Sequence, residues 1–197
     1  MKPDKRFEAL MNSGRTLFWK YGIRRVTIEE ICKDAGVSKM TYYKHFPNKN
    51  ALVKVILDRW IQKATEEYNK VMEVDESFEE KMAKIILMKI DYAHDISPEL
   101  VSDLYGNPDM ELAAYMEEKM AMSIEIFGST LRDAQKKGEI RPEIKIEFIL
   151  HMLNKMKEMA SDRQMIDLYG TTEAWVAEMS GFFTYGILPR PKPVLDK

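Results

Sequence analysis

The sequence predicts an all-α protein: a small three-helix head containing a helix-turn-helix, followed by a larger helical bundle, about nine helices in all. Two observations carry that reading. Apolar residues recur at three- and four-residue spacing behind recognisable helix start signals, and no stretch keeps up the alternation of a half-exposed strand for long. With 197 residues, 45% of them hydrophobic, the chain has ample material for a packed core.

Phe7, Leu10, Met11, Gly14, Leu17, Phe18 and Tyr21 form the inner stripe of a first helix. Thr27 and Glu30 make a capping box that opens a second, in which Ile28, Ile31, Cys32 and Ala35 share one face. Gly36 can take a left-handed backbone at no steric cost, Val37 plugs the corner, and Ser38 offers its hydroxyl to the free amides of the next helix. The chain therefore turns within four residues. In the third helix Tyr42 and Phe46 pack inward, which stacks Lys39 with Tyr43, and Met40 with Lys44, on another face. Residues 48–72 continue as a long fourth helix that ties the head, 1–47, to the body, 48–188. Later starts are Ser77 with Glu80, Ser97-Pro98, Asn107-Pro108 and Thr171 or Thr172, and Gly138 is a stop. The last two long helices are expected at 142–169 and 172–188, and three prolines make 189–197 an extended or disordered tail.

Two short helices joined by a tight turn, the second presenting Lys39, Met40, Thr41, Tyr43, Lys44 and His45, is the arrangement by which a helix-turn-helix reads double-stranded DNA. A plain helical hairpin with solvated lysines is the alternative. Charge argues against it. Residues 1–50 hold eleven Lys and Arg against five Asp and Glu, whereas the remainder holds nineteen against twenty-seven, so a net charge of −2 conceals a basic end and an acidic body.

The head also resembles the DNA-binding domain of the TetR-like (tetracycline-repressor-like) bacterial transcription regulators. The resemblance rests on Leu17-Phe18, Tyr21-Gly22, Thr27, Ile31, Ala35-Gly36-Val37-Ser38, Thr41, Tyr43, Phe46, Lys49 and Leu52, residue types at fixed gaps over about the first quarter of the chain. Cys32, Met40 and Tyr42 depart from the family's usual residues. The resemblance implies that Thr27, Thr41, Tyr43, His45 and Lys49 touch phosphates and that Lys39, Met40 and Lys44 lie nearest base edges, with Ser38 at the head of the same helix counted among the contacting residues. The chemistry suits that division: lysine donates to guanine O6 and N7, methionine meets the thymine methyl, and phosphate contacts fix position rather than sequence. Arg24 and Arg25 are further candidates for phosphate contacts.

In the body, twelve of the fifteen methionines mix with aromatic residues. Trp60, Met88, Tyr92, Tyr105, Tyr115, Met116 and Met120 are candidates to enclose a small apolar or aromatic effector, ordinary core packing being the alternative for each. The resemblance implies a homodimer formed by the last two long helices, for which Ile149, Leu153, Met156, Trp175, Met179, Phe182 and Phe183 are candidates. The function expected is a sequence-specific DNA-binding regulator, a repressor released from a palindromic operator by the effector. One alternative keeps DNA binding and makes the body a docking surface for another protein; the other is a helical-bundle enzyme. That last reading finds no G-x-S-x-G, phosphate loop, C-x-x-C or H-E-x-x-H, and Asp91, His94, Asp95 and His151 are a weak metal-ligand pattern, so no catalytic residue, metal or cofactor is expected. Cys32, the single cysteine, reads as a small core residue. No run approaches the roughly 18 apolar residues of a membrane span, which predicts a cytoplasmic protein without membrane contact.

Overall fold

The computed structural model describes residues 4–106, 109–160 and 162–189; the expected start at Asn107-Pro108 and residues 190–197 of the expected tail lie outside them. Among the described residues there are ten α-helices, one π-helical turn and no strand. The head comprises α1 (Lys5–Tyr21), α2 (Ile28–Asp34) and α3 (Lys39–His45), and α4 (Lys49–Glu73) leads out of it. The body continues with α5 (Phe78–Ala93), α6 (Pro98–Val101), the π-helical turn Ser102–Gly106, α7 (Met110–Lys136), α8 (Ile146–Ala160), α9 (Arg163–Tyr169) and α10 (Thr172–Ile187).

Local side-chain chemistry sets most helix starts. The Thr27/Glu30 and Ser77/Glu80 capping boxes are both closed reciprocally, so each spends one hydroxyl and one carboxylate on amides that a helix end would otherwise leave unpaired. The helix expected at 142–169 is instead two helices, and it begins later. Gln135 Nε2 donates to the carbonyls of Arg141 (3.3 Å) and Ile144 (2.7 Å), holding 141–145 as a turn, so α8 starts at Ile146. The Asp162 carboxylate then accepts from the Gln164 and Met165 amides and restarts the chain as α9. This break accounts for a tenth helix.

Two apolar cores hold the fold. The second lies in the body, where Phe78, Met82 and Ile85 of α5 meet Leu131, Ile140, Ile149 and Ile187, and Ser180 and Thr184 of α10 are buried as well. The first begins in the head with Leu10, Phe18, Ile31, Tyr42 and Phe46, passes through Leu52, Val53, Ile56 and Leu57 of α4, and continues without interruption into Leu100, Leu104, Leu112 and Met116 of the body. The division expected after residue 47 thus falls inside one continuous core. At Gly14 a Cβ would sit 3.0 Å from Ile56 Cδ1 and Leu52 Cδ2, which is why α1 can lie so close on α4.

Candidate nucleic-acid interface

α3 is bound from below and open above. Tyr42 and Phe46 are buried, and the Tyr42 hydroxyl donates to the Asn48 carbonyl at 3.1 Å. On the opposite side Met40 is 72% exposed and Tyr43 55% exposed, with Lys39 and Lys44 exposed beside them. A single exposed methionine is ordinary on a protein surface; what marks this face is that Met40 stands in one row with Tyr43 and two lysines. Lys44 makes no ion pair among the described residues, whereas the Lys39 ammonium is paired with the Glu29 carboxylate of α2. That hydrogen bond holds the Glu29 carboxyl below its usual range and the Lys39 ammonium above its own.

The residues expected at phosphates are placed differently from one another. Thr27 is exposed, but its hydroxyl donates to Glu30 Oε2 (2.8 Å) and accepts from the Glu30 amide (3.2 Å). Ser38 Oγ accepts from the Thr41 amide (3.1 Å) and shares a hydrogen bond with Thr41 Oγ1 (3.0 Å), so these two hydroxyls serve the helix start as they stand. His45 is half-buried, with Nε2 3.3 Å from Asp4 Oδ2 and its ring edge-on to Phe7. Lys49 points inward: its Nζ donates to the carbonyls of Ile23 (2.6 Å) and Val26 (2.9 Å), and desolvation at that place pushes the ammonium below its ordinary value. Of the two arginines ahead of α2, Arg25 lies over the Tyr21 ring and Arg24 is paired with Asp103 of the body. Neither Asp103 nor Glu29 was singled out by sequence patterns, because each acts through a partner distant in the chain.

With Lys39, Met40, Tyr43 and Lys44 on one exposed face, the expected division between base-edge and phosphate contacts can be tested by substitution. Lys39→Ala and Lys44→Ala should each relax preference at particular base pairs by about 1–3 kcal/mol, while Tyr43→Ala should weaken all duplexes alike, as measured by titration against a randomised duplex set at fixed salt. Equal losses on every duplex for all three would remove the division.

Of the residues expected around an effector, Met116 is buried, and Trp60, Met88, Tyr92, Tyr105, Tyr115 and Met120 are half-buried. The Trp60 ring is edge-on to both Trp19 (5.9 Å) and Tyr92 (5.5 Å), and Tyr105, Tyr115 and Met116 belong to the first core or its margin. The Tyr92 hydroxyl donates to Glu67 (2.8 Å) and that of Tyr115 to Asp58 (2.8 Å). A surface cleft of about 450 Å³ lies elsewhere, between α1 and the α5–α6 connection, and is lined by Arg15, Trp19, Lys20, His94 and Ser97 among others. The candidates for dimerisation divide in two. Ile149, Met156 and Trp175, at 1%, 9% and 6% exposure, are buried within the protomer. Trp175 is fixed there by donating Nε1 to the Met159 carbonyl (3.1 Å) and packing on Tyr169. Leu153, Met179 and Phe183 are half-buried, while Phe182 stands 83% exposed, together with Tyr185 of α10 and Phe148 of α8, neither of them among the expected residues.

No described helix is long and apolar enough to cross a membrane, and the described residues contain no group of three His, Cys, Asp or Glu placed to hold a metal ion. Comparison with known proteins agrees with the geometry of the head. Residues 10–56 match the family model described as bacterial regulatory proteins, tetR family. The HTH-type transcriptional regulator UidR of Escherichia coli (strain K12) is 28% identical over 138 residues, which cover 68% of this chain and 69% of UidR. The HTH-type transcriptional repressor ComR of the same organism is 24% identical over 186 residues, 84% of this chain and 86% of ComR. Two solved structures share the fold. The fatty acid degradation regulator FadR from Bacillus halodurans has a TM-score of 0.75 at 17% identity over 96% of this chain and 100% of its own. FadR from Bacillus subtilis, in complex with stearoyl-CoA, has a TM-score of 0.73 at 17% identity over 92% of this chain and 99% of its own. A basic head that exposes one face of α3 matches that family model over residues 10–56, and the all-helical body shares its fold with solved regulators, so the chain is similar to the TetR-like bacterial transcription regulators.

Proposed function

We propose that the chain is a repressor that binds a palindromic operator as a two-fold dimer in the cytoplasm and is released by a small apolar or aromatic effector held in its body. The observation that carries the DNA half of this reading is the exposed row Lys39, Met40, Tyr43 and Lys44 on a helix pinned beneath by Tyr42 and Phe46. Two such helices related by a two-fold axis would enter successive major grooves about 34 Å apart. The exposed aromatic residues of α8 and α10 support pairing, since an apolar face of that kind is stabilised when a second copy covers it.

The effector half is supported by the stearoyl-CoA complex of the similarly folded FadR and by aromatic rings beside the first core, Trp60 of α4 against Tyr92 and, separately, Tyr105 and Tyr115. A ligand that wedges these rings apart would tilt α4 and change the separation of the two heads. A coupling of about 1–3 kcal/mol would change operator affinity roughly 5- to 150-fold. One observation favours a second reading, a body that docks another protein without an effector: Trp60 is wedged between two rings, and the hydroxyls of Tyr92 and Tyr115 are already satisfied.

Selection of bound duplexes from a random pool at stated salt tests the proposal. A palindrome with half-sites one helical turn apart is expected, and recovery of unrelated sequences would overturn specific recognition. A metabolite screen against the selected duplex then separates the two readings of the body: a compound that binds and releases DNA supports the effector, and one that binds without changing operator affinity excludes it as the switch.

A further inference from the structure

We infer that Asp103, in the π-helical turn of the body, is a positioning residue for DNA binding: it grips the loop that precedes the helix-turn-helix and ties the placement of the head to the packing of the body. The inference rests on the assignment of α3 as the DNA-contacting helix and adds the residue through which the body reaches it.

The grip is made at the polar atoms of the loop. Asp103 Oδ2 accepts the backbone N–H of Ile23 (2.7 Å) and of Arg24 (3.0 Å), and Oδ1 lies 3.4 Å from Arg24 Nε. A single carboxylate thereby holds two successive amides and a guanidinium across some eighty residues of chain, and its side chain is only 12% exposed. Gly22 makes this approach possible. Its backbone has φ +80°, and a Cβ there would lie 2.7 Å from Asp103 Oδ2 and 3.1 Å from Glu99 Cβ. Lys49 completes the clamp by donating to the carbonyls of Ile23 and Val26, so the loop has an anion on its amides and a cation on its carbonyls. Ile23 and Val26 are themselves buried, and Thr27, the next residue, caps α2. The direction in which the helix-turn-helix leaves α1 is fixed here.

The other end of the lever lies in the body. Asp103 precedes Leu104 and Tyr105, which pack into or against the first core, and Tyr105 is one of the aromatic residues proposed to meet an effector. A π-helical turn holds an extra residue per hydrogen-bonded ring and is rare, occurring often at functional sites. A shift of Leu104 or Tyr105 therefore moves the carboxylate that holds Ile23 and Arg24. Arg24, 55% exposed and a candidate phosphate contact, is oriented by the same group.

The test uses the full chain, a duplex selected by the wild-type protein, and Asp103→Asn, which keeps the size of the side chain and removes its charge. Affinity is measured as a function of salt, and amide exchange of residues 102–106 is measured with and without duplex. In the wild type, duplex should slow exchange at 102–106, far from α3. In Asp103→Asn, whose amide oxygen can still accept from the Ile23 and Arg24 amides but no longer pairs with the guanidinium, that slowing should diminish, affinity should fall about tenfold, and the slope of log affinity against log salt should lessen by about one contact as Arg24 is released. A residue that only stabilised the fold would leave both the salt slope and the DNA-linked exchange unchanged. Wild-type affinity in Asp103→Asn, or undiminished slowing at 102–106, overturns the inference. Should that variant fail to fold, the wild-type exchange decides alone: no slowing at 102–106 on duplex binding overturns it. A wild-type protein that binds no duplex defeats the assignment of α3 and this inference with it, whereas a wild type that binds beside an indifferent Asp103→Asn defeats this inference only.

Discussion

Tyr42→Ala is expected to destabilise the protein by about 3–5 kcal/mol, the cost of emptying a fully buried aromatic site. Against a total stability of about 5–15 kcal/mol, that removes a large share of the margin that keeps the head folded. The ring is wholly excluded from solvent and packs against Phe46 (5.7 Å between centroids) and edge-on to Tyr43 (5.5 Å). Its hydroxyl donates to the carbonyl of Asn48, whose own side chain caps α4 by accepting from the Ala51 amide (2.8 Å). Tyr42 thus fastens α3 to the start of α4 as well as filling the space beneath the exposed face. Burial pushes its phenol far above the ordinary value, so it remains a donor throughout the pH range in which the protein is handled. Tyr42→Phe should lose only about 1 kcal/mol and keep DNA binding. Urea denaturation of the three proteins checks the order, and a Tyr42→Ala midpoint within error of wild type would show that the ring is not what holds α3.

The second large effect is expected from Phe182→Glu combined with Tyr185→Glu. These side chains lie three residues apart on one face of α10 and are 83% and 74% exposed in the single chain, with Phe148 of α8 at 54%. Covering aromatic surface is worth about 25 cal/mol per Å² removed from water, and a two-fold interface counts each residue twice. A carboxylate in its place would have to lose its water opposite its own symmetry mate. The double variant should sediment as a monomer at micromolar concentration and bind the selected duplex at least about 100-fold more weakly, since its two half-sites are then no longer linked. Because neither ring supports the protomer, the variant should stay folded, while its melting temperature falls to that of the isolated protomer and loses its dependence on protein concentration. A variant that still sediments as a dimer would place the interface elsewhere.

Features governed by neighbours three or four residues apart were legible in the sequence. The Thr27/Glu30 and Ser77/Glu80 boxes are bonds between residues at fixed spacing, and the division of α3 into Tyr42 and Phe46 below and Met40, Tyr43 and Lys44 above follows from helical geometry alone. The break at Asp162 was missed because aspartate at a helix start is indistinguishable in sequence from aspartate on a helix surface. On α8 and α10 the apolar residues occupy more than one face, so periodicity could not sort Ile149 and Trp175, which point inward, from Phe148 and Tyr185, which point outward. Lys49 shows the same limit at longer range: its position suggested a phosphate, but its flexible stem turns back to carbonyls more than twenty residues earlier. The partnership of Asp103 with Ile23 depends on how α6 and the following π-helical turn lie against α1, which no local pattern encodes.

The first core, shared by α1, α4, α6 and α7, bears on how such a regulator can diversify. Recombination at residue 47 would strand Leu100, Leu104, Leu112 and Met116 against a foreign surface and leave Leu10 and Phe18 facing a mismatched neighbour. Inheritance of a new DNA preference is therefore easier by point replacement along α3, whose outward residues lie outside the first core, than by exchange of the whole amino-terminal unit.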